Sequence, residues 1–129
     1  MKFYIASRVK NKKLVKNIHE KLTGLGHEIL STWIDEEKII PYENNADIAK
    51  SRAIQCIKAT GKCDVFILIS DESGAGMYTE LGAALASSSL NNKPKIYVIG
   101  DYLNRSIFFF HPAIRKFETI KEVLEDLVK

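Results

Sequence analysis

Glu80 is the residue of this chain whose type and setting best suit chemistry. It stands in the stretch CDVFILISDESGAGMYTELGAALA, residues 63–86, where an apolar run enters a loop holding Gly74 and Gly76 and then a helical pattern. A carboxylate at such a strand–loop–helix joint can attack, or electrostatically support, an oxocarbenium-like carbon, the retaining strategy of glycoside chemistry. Gly74 and Gly76 let the backbone approach a ligand with no Cβ in the way. Free N–H groups at the helix start favour a negative group nearby and the ionised form of Glu80. Helical spacing sets Glu80 beside Met77 and Ala84, at the edge of the face expected to be buried. The plainer alternative is a solvated glutamate that complements the helix dipole.

The elements that must position this residue alternate regularly. Residues 2–6 (KFYIA) read as strand one, and Leu14, Ile18, Leu22 and Leu25 recur at helical spacing until Gly24 and Gly26 stop the helix. Residues 27–32 (HEILST) read as strand two, followed by a polar loop broken by Pro41. Asn45 or Asp47 can cap a second helix carrying Ile48, Ala49, Ala53, Ile54 and Ile57, which ends at Thr60-Gly61-Lys62. Residues 64–69 (DVFILI) are apolar at nearly every position, the mark of a strand buried on both faces. A third helix spans residues 76–90, with Leu81, Ala84, Leu85 and Ser88 on one face, and residues 95–99 (KIYVI) form strand four. A short fifth strand at 115–118 and a closing helix at 119–128, with Thr119 and Glu122 in capping-box spacing, complete the chain.

Such βαβ alternation with right-handed crossovers implies a three-layer α/β sandwich. The expected sheet has five parallel strands in the order 2-1-3-4-5, as in flavodoxin-like and Rossmann-like folds. In that order the loops after strands one and three border one crevice. The first holds Ser7, Arg8 and Lys10; the second holds Asp71, Gly74 and Gly76.

Size and charge exclude other classes. At 129 residues the chain is one domain, 1–129, with a balance of 46% hydrophobic and 27% charged residues that is ordinary for a globular protein. A net charge of +3 is too small to argue for a nucleic-acid partner, and the lysines at 10, 12, 13 and 16 make the basic character local. Cys56 and Cys63 suggest neither a disulfide framework nor a zinc site. No segment reads as a membrane span or a signal peptide, so a cytoplasmic location is expected.

The segment GAGMYTELGAALA after CDVFILIS resembles the signature of the nucleoside 2-deoxyribosyltransferase-like family, which includes 2′-deoxynucleoside 5′-phosphate N-hydrolases. The matching residues are Asp64, Gly74, Gly76, Glu80, Leu81, Gly82 and Ala84; FYIAS and GHEILSTWID are similar as well, in the right order over almost the whole chain. The resemblance implies cleavage or transfer at the N-glycosidic bond of a (deoxy)nucleoside or its 5′-monophosphate, without metal or organic cofactor. It implies Glu80 as the nucleophile, Tyr4 as the tyrosine beside it, and Ser7, Arg8 and Lys10 as the loop handling the 5′ end of the substrate. A guanidinium or ammonium there suits a phosphate. Relatives are oligomers that complete the pocket from a neighbour, so a homodimer or larger assembly is expected; the apolar residues 108–111 either tuck under strand four or form a subunit contact or part of a lid. Trp33 is a candidate for stacking on the base, against the alternative that it closes the sheet edge.

One departure stands out. The family carries an aspartate on helix two that assists protonation of the leaving base. An ungapped count puts that position at Cys56, and an insertion at residues 60–62 moves it to Ala53. Asp47 on the same helix, or Asp71 or Asp35 from loops, are the candidate substitutes. A general acid contributes about 10²–10⁴ in rate. Its loss leaves two other readings: a catalytically degenerate nucleotide-binding or sensing module, and, by fold analogy alone, a Toll/interleukin-1-receptor-like domain that cleaves NAD.

Overall fold

The structure, a computed structural model, describes residues 1–129. Its middle layer is a five-stranded sheet of β1 (Lys2–Ala6), β2 (Glu28–Ile29), β3 (Val65–Ile69), β4 (Lys95–Ile99) and β5 (Ile114–Phe117). All neighbours pair parallel, in the order β2-β1-β3-β4-β5. The helices α1 (Lys12–Gly24), α2 (Ala46–Lys62), α3 (Gly76–Asn91) and α4 (Ile120–Leu127) make it a three-layer α/β fold, as the alternation implied.

Strand periodicity divides the core in two, because successive side chains point to opposite faces. Phe3, Ile5, Val65, Ile67, Tyr97 and Ile99 pack with Val15, Ile18 and Leu22 of α1 and Val123 of α4. Tyr4, Ala6, Phe66, Leu68, Ile96 and Val98 pack with Met77, Leu81 and Ala84 of α3. Full burial of each large side chain contributes about 1.5–3 kcal/mol. Tyr4 thus points to the α3 face, the face that also carries Glu80.

Several local expectations need correction. The buried stripe of α1 is Val15, Ile18 and Leu22, while Leu14 and Leu25 are exposed. β2 keeps only two residues of the expected six, because the buried Ser31 Oγ accepts the Ile5 N–H at 3.0 Å where a strand carbonyl would stand. Neither Asn45 nor Asp47 caps α2: the Asn45 amide instead donates to the Ile39 carbonyl at 2.9 Å, tying down the preceding loop. That helix also runs through Gly61 to Lys62. Its isoleucines 48, 54 and 57 are all about half exposed, and Thr60 is its one buried residue. β5 begins one residue earlier than expected, at Ile114. The capping box of Thr119 and Glu122 is formed at α4.

Candidate active site

The sheet reverses its strand order between β1 and β3, and the loops leaving their carboxyl ends define a crevice. Glu80 reaches it from the second turn of α3 and Tyr4 from the middle of β1. The Tyr4 hydroxyl donates to Glu80 Oε2. Tyr4 is stacked on Phe66 with ring centroids 5.7 Å apart and is only 1% exposed, so its hydroxyl has little freedom to move. It is therefore both a core aromatic and a partner of the carboxylate.

α2 supplies the wall above this pair. Cys56 lies beside the Tyr4 hydroxyl and near Glu80. Arg52, one turn earlier on the same helix face, pairs through Nε with Glu36 Oε2 at 3.2 Å and donates through a guanidinium nitrogen to the Glu37 carbonyl at 2.6 Å. Thr32 Oγ1 donates to the other Glu36 oxygen at 2.9 Å. The inward positions of α2 thus carry a thiol and an arginine, which explains why the helix has no buried apolar stripe.

These surroundings set the proton affinities. Burial pushes the Glu80 carboxyl above the ordinary glutamate range; the Tyr4 hydrogen bond pulls it down, and the Glu36 charge adds to the rise. The helix start was expected to favour the ionised form, but loss of water outweighs it at Glu80. Burial, followed by the charge of Glu80, drives the Tyr4 phenol far up, so Tyr4 stays a hydrogen-bond donor. Burial also raises the Cys56 thiol.

The other end of the crevice is organised by Asp71, which is 3% exposed. Its carboxylate accepts from an Arg8 guanidinium nitrogen at 3.0 Å, the Asn11 amide at 3.2 Å and the Ser73 N–H at 3.3 Å, with Lys10 Nζ at 3.4 Å. Its main-chain carbonyl accepts from Arg105 at 3.0 Å and from the Tyr78 hydroxyl at 3.4 Å. Burial alone would raise this carboxyl, but Arg8, the Ser73 N–H, Asn11 and Lys10 together hold it well below the usual range. Asp71 joins the loops after β1, β3 and β4 and leaves an excess of positive charge among Arg8, Lys10 and Arg105.

The structure brings most of the expected residues together. Ser7 lies half-buried in the first loop, its hydroxyl donating to the Arg8 carbonyl at 3.1 Å. Gly74 adopts a φ of +126°, and a Cβ there would meet Met77 Cε at 2.8 Å and Arg8 Cγ at 3.2 Å. Glycine is required at that point. At Gly76 a Cβ would meet no protein atom within 4 Å. Met77 is buried beneath Gly74 and belongs to the α3 core.

Four of the expected residues are engaged or placed elsewhere than at the Tyr4–Glu80 pair. Trp33 packs with the α1-side core and donates its indole N–H to the Ile5 carbonyl at 2.8 Å, closing the sheet edge. Asp47 is exposed in the first turn of α2, nine residues before Cys56, or about 13 Å along the axis. Asp71 is held ionised by its partners and has no proton to donate, while Asp35 is exposed on the turn after β2. Cys56, the position reached by the ungapped count, lies near Tyr4 and Glu80.

Glu36, Arg52, Asn11 and Arg105 were not anticipated. Their signal was topological: Glu36 and Arg105 follow β2 and β4, whose carboxyl ends open to the same side as the crevice. No three His, Cys, Asp or Glu side chains gather as metal ligands. A groove of about 430 Å³ lined by Leu30, Ile54, Gln55 and Lys58 contains none of the crevice carboxylates.

No protein-family model matches the chain, and no curated protein matches it in sequence. Among solved structures, the CMP N-glycosidase BcmB of Clostridium botulinum superimposes with a TM-score of 0.61 at 19% identity, over 99% of this chain and 98% of that one. The two share a fold. No helix is long and apolar enough to cross a membrane.

Proposed function

We propose that this chain cleaves the N-glycosidic bond of a nucleoside 5′-monophosphate through a glutamate nucleophile, as a member of the nucleoside 2-deoxyribosyltransferase-like family. The observation that carries this reading is the buried Tyr4–Glu80 pair at one end of a crevice whose other end gathers Arg8, Lys10 and Arg105. The CMP N-glycosidase with the same fold supports it. A desolvated carboxylate gains more from forming a bond to a cationic sugar carbon than a hydrated one does. Tyr4 holds the attacking oxygen in place, and the cations suit the 5′-phosphate.

The substrate is a small-molecule nucleotide, and a second copy of the chain completes the site. Ile107, Phe108 and Phe110 are 81%, 59% and 62% exposed beside a buried Phe109 that contacts Tyr78 of α3, an apolar patch suited to such a contact. The free thiols suit a cytoplasmic setting.

The test is a chromatographic assay for released base over deoxynucleosides, ribo- and deoxynucleoside monophosphates and NAD, with and without a second free base. Base release from a monophosphate that vanishes in Glu80→Ala is expected. No release by folded protein across the panel would return the chain to the nucleotide-binding reading, which the thiol at position 56 favours.

A further inference from the structure

We propose that α2 joins two copies of this chain, its outer face pairing antiparallel with the same face of a second copy. The inference goes beyond the glycosidase reading and does not depend on it. It also concerns a different surface from the patch after β4. α2 shares a groove with Leu30, directly after β2, at the opposite edge of the sheet.

α2 buries little within its own chain. Of its 17 residues only Thr60 is buried. Ile48, Ile54 and Ile57 are 47%, 48% and 45% exposed. A β-branched side chain is a mediocre helix former, so three of them on an open face gain the helix nothing until that face is covered. Beside them runs the groove of about 430 Å³, in which Leu30 and Ala59 are half-buried and Lys58 and Lys62 are exposed.

The order of charges on this face says what covers it. Asp47 and Lys58 are three turns apart, so they share one face at a separation of about 16 Å along the axis, with Ile54 between them. Glu43 lies four residues before Asp47, and Lys62 four residues after Lys58. All four are exposed, and none is ion-paired within the chain. Acid at the start and base at the end match their own reverse. An antiparallel second copy sets Asp47 against its Lys58 and Glu43 against its Lys62, each pair formed twice by symmetry. The two-fold axis then passes between residues 52 and 53. In that register Ile54 meets Ser51 of the second copy, where a small side chain leaves room. Ile48 comes level with residue 57 of the second copy. It belongs to the helical stripe of Ser51, Gln55 and Ala59, which line the groove, and the two-fold turns like stripe toward like stripe. An isoleucine thus enters each groove, and apolar surface that one chain leaves in water is removed from it.

The experiment is sedimentation equilibrium of the full chain, with circular dichroism on each variant to establish folding. Wild type should sediment as a dimer or larger. Ile54→Glu changes an exposed side chain, so it should fold and halve that mass. Lys58→Glu sets like charges together at two symmetry-related points and should raise the dissociation constant about tenfold. Adding Asp47→Lys restores the match with the signs exchanged and should recover most of that loss. This charge pair keeps the test open should the apolar variant lose its fold. Phe110→Glu, on the patch after β4, should leave the copies joined by α2 together. A wild type that stays monomeric up to its solubility limit overturns the proposal. So does an assembly unchanged by Ile54→Glu, or a double reversal that associates no better than Lys58→Glu alone. Dissociation to monomer in Phe110→Glu also overturns it, by assigning the contact to the other edge of the sheet. Every readout is a mass, so the base-release assay tests the glycosidase reading separately.

Discussion

Asp71 and Glu80 stand nine residues apart on one loop–helix segment and border one crevice, yet their surroundings are opposite. Asp71 is met by two cations, an amide and a main-chain N–H, and its carboxyl is held down. Glu80 has lost its water and is met by a single phenol, with Glu36 adding like charge, and its carboxyl is pushed up. The first arrangement stabilises a fold in which three loops must stay joined. The second leaves a buried carboxylate with a single hydrogen-bond partner. On the proposed reading, environment separates a structural carboxylate, Asp71, from a chemical one, Glu80, although both share one residue class and one crevice.

The largest effect should come from Glu80→Gln. Base release should fall on the order of 10⁴-fold or more, the scale for losing a nucleophile. Thermal stability should move the other way. A carboxyl whose folded value is raised contributes stability that is full below its unfolded value and is lost as pH rises through the folded one. The neutral amide escapes that loss, so the variant's Tm at pH 7 should exceed wild type. A lowered Tm with activity intact would erase the contrast with Asp71.

Tyr4→Phe should reduce kcat/KM by about 10²-fold, the scale for removing one pre-placed donor. It should also cost about 1–3 kcal/mol by leaving Glu80 without its partner. The sharper readout is pH. The hydrogen bond from Tyr4 lowers the Glu80 value, so its removal should shift the acid limb of kcat/KM to higher pH. An unmoved limb would detach Glu80 from the profile.

Asp71→Asn tests the other side of the comparison. A carboxyl whose folded value is depressed contributes stability that is present above its unfolded value, near 4, and is lost as pH falls through the folded one. Wild-type Tm should therefore drop as pH is lowered from about 5 toward the folded value. The variant should start lower at pH 7 and show a flatter slope. Equal slopes in the two proteins would show that the cluster does not hold the fold.

The strand order was legible because strands buried on both faces, such as residues 65–69, need no tertiary information to be recognised. Glu80, Tyr4, Arg8 and Asp71 were legible as neighbours for a related reason, since the strand order sends them to one crevice; the ion pair between Arg8 and Asp71 was not. α2 was not. Its isoleucines suggest an inward stripe, whereas the face that turns inward carries Arg52 and Cys56. Periodicity cannot choose between an apolar face buried in this chain and one left for another surface. Glu36 was hidden because its partner lies 16 residues away on that misread helix.

The smallest effect on catalysis should come from Trp33→Leu, which separates the crevice from the opposite layer of the core. The indole fills space against the α1 side and satisfies the Ile5 carbonyl at 2.8 Å. Its replacement should cost about 1–3 kcal/mol in stability through lost packing and the unpaired carbonyl. KM for the nucleotide should stay within about twofold, because nothing on that face touches the Tyr4–Glu80 pair. A base stacked on the indole would behave differently. Loss of a stack worth about 1.4 kcal/mol would raise KM about tenfold. Such a rise at unchanged Tm would move Trp33 from the sheet edge into the site and extend the crevice across the top of β1.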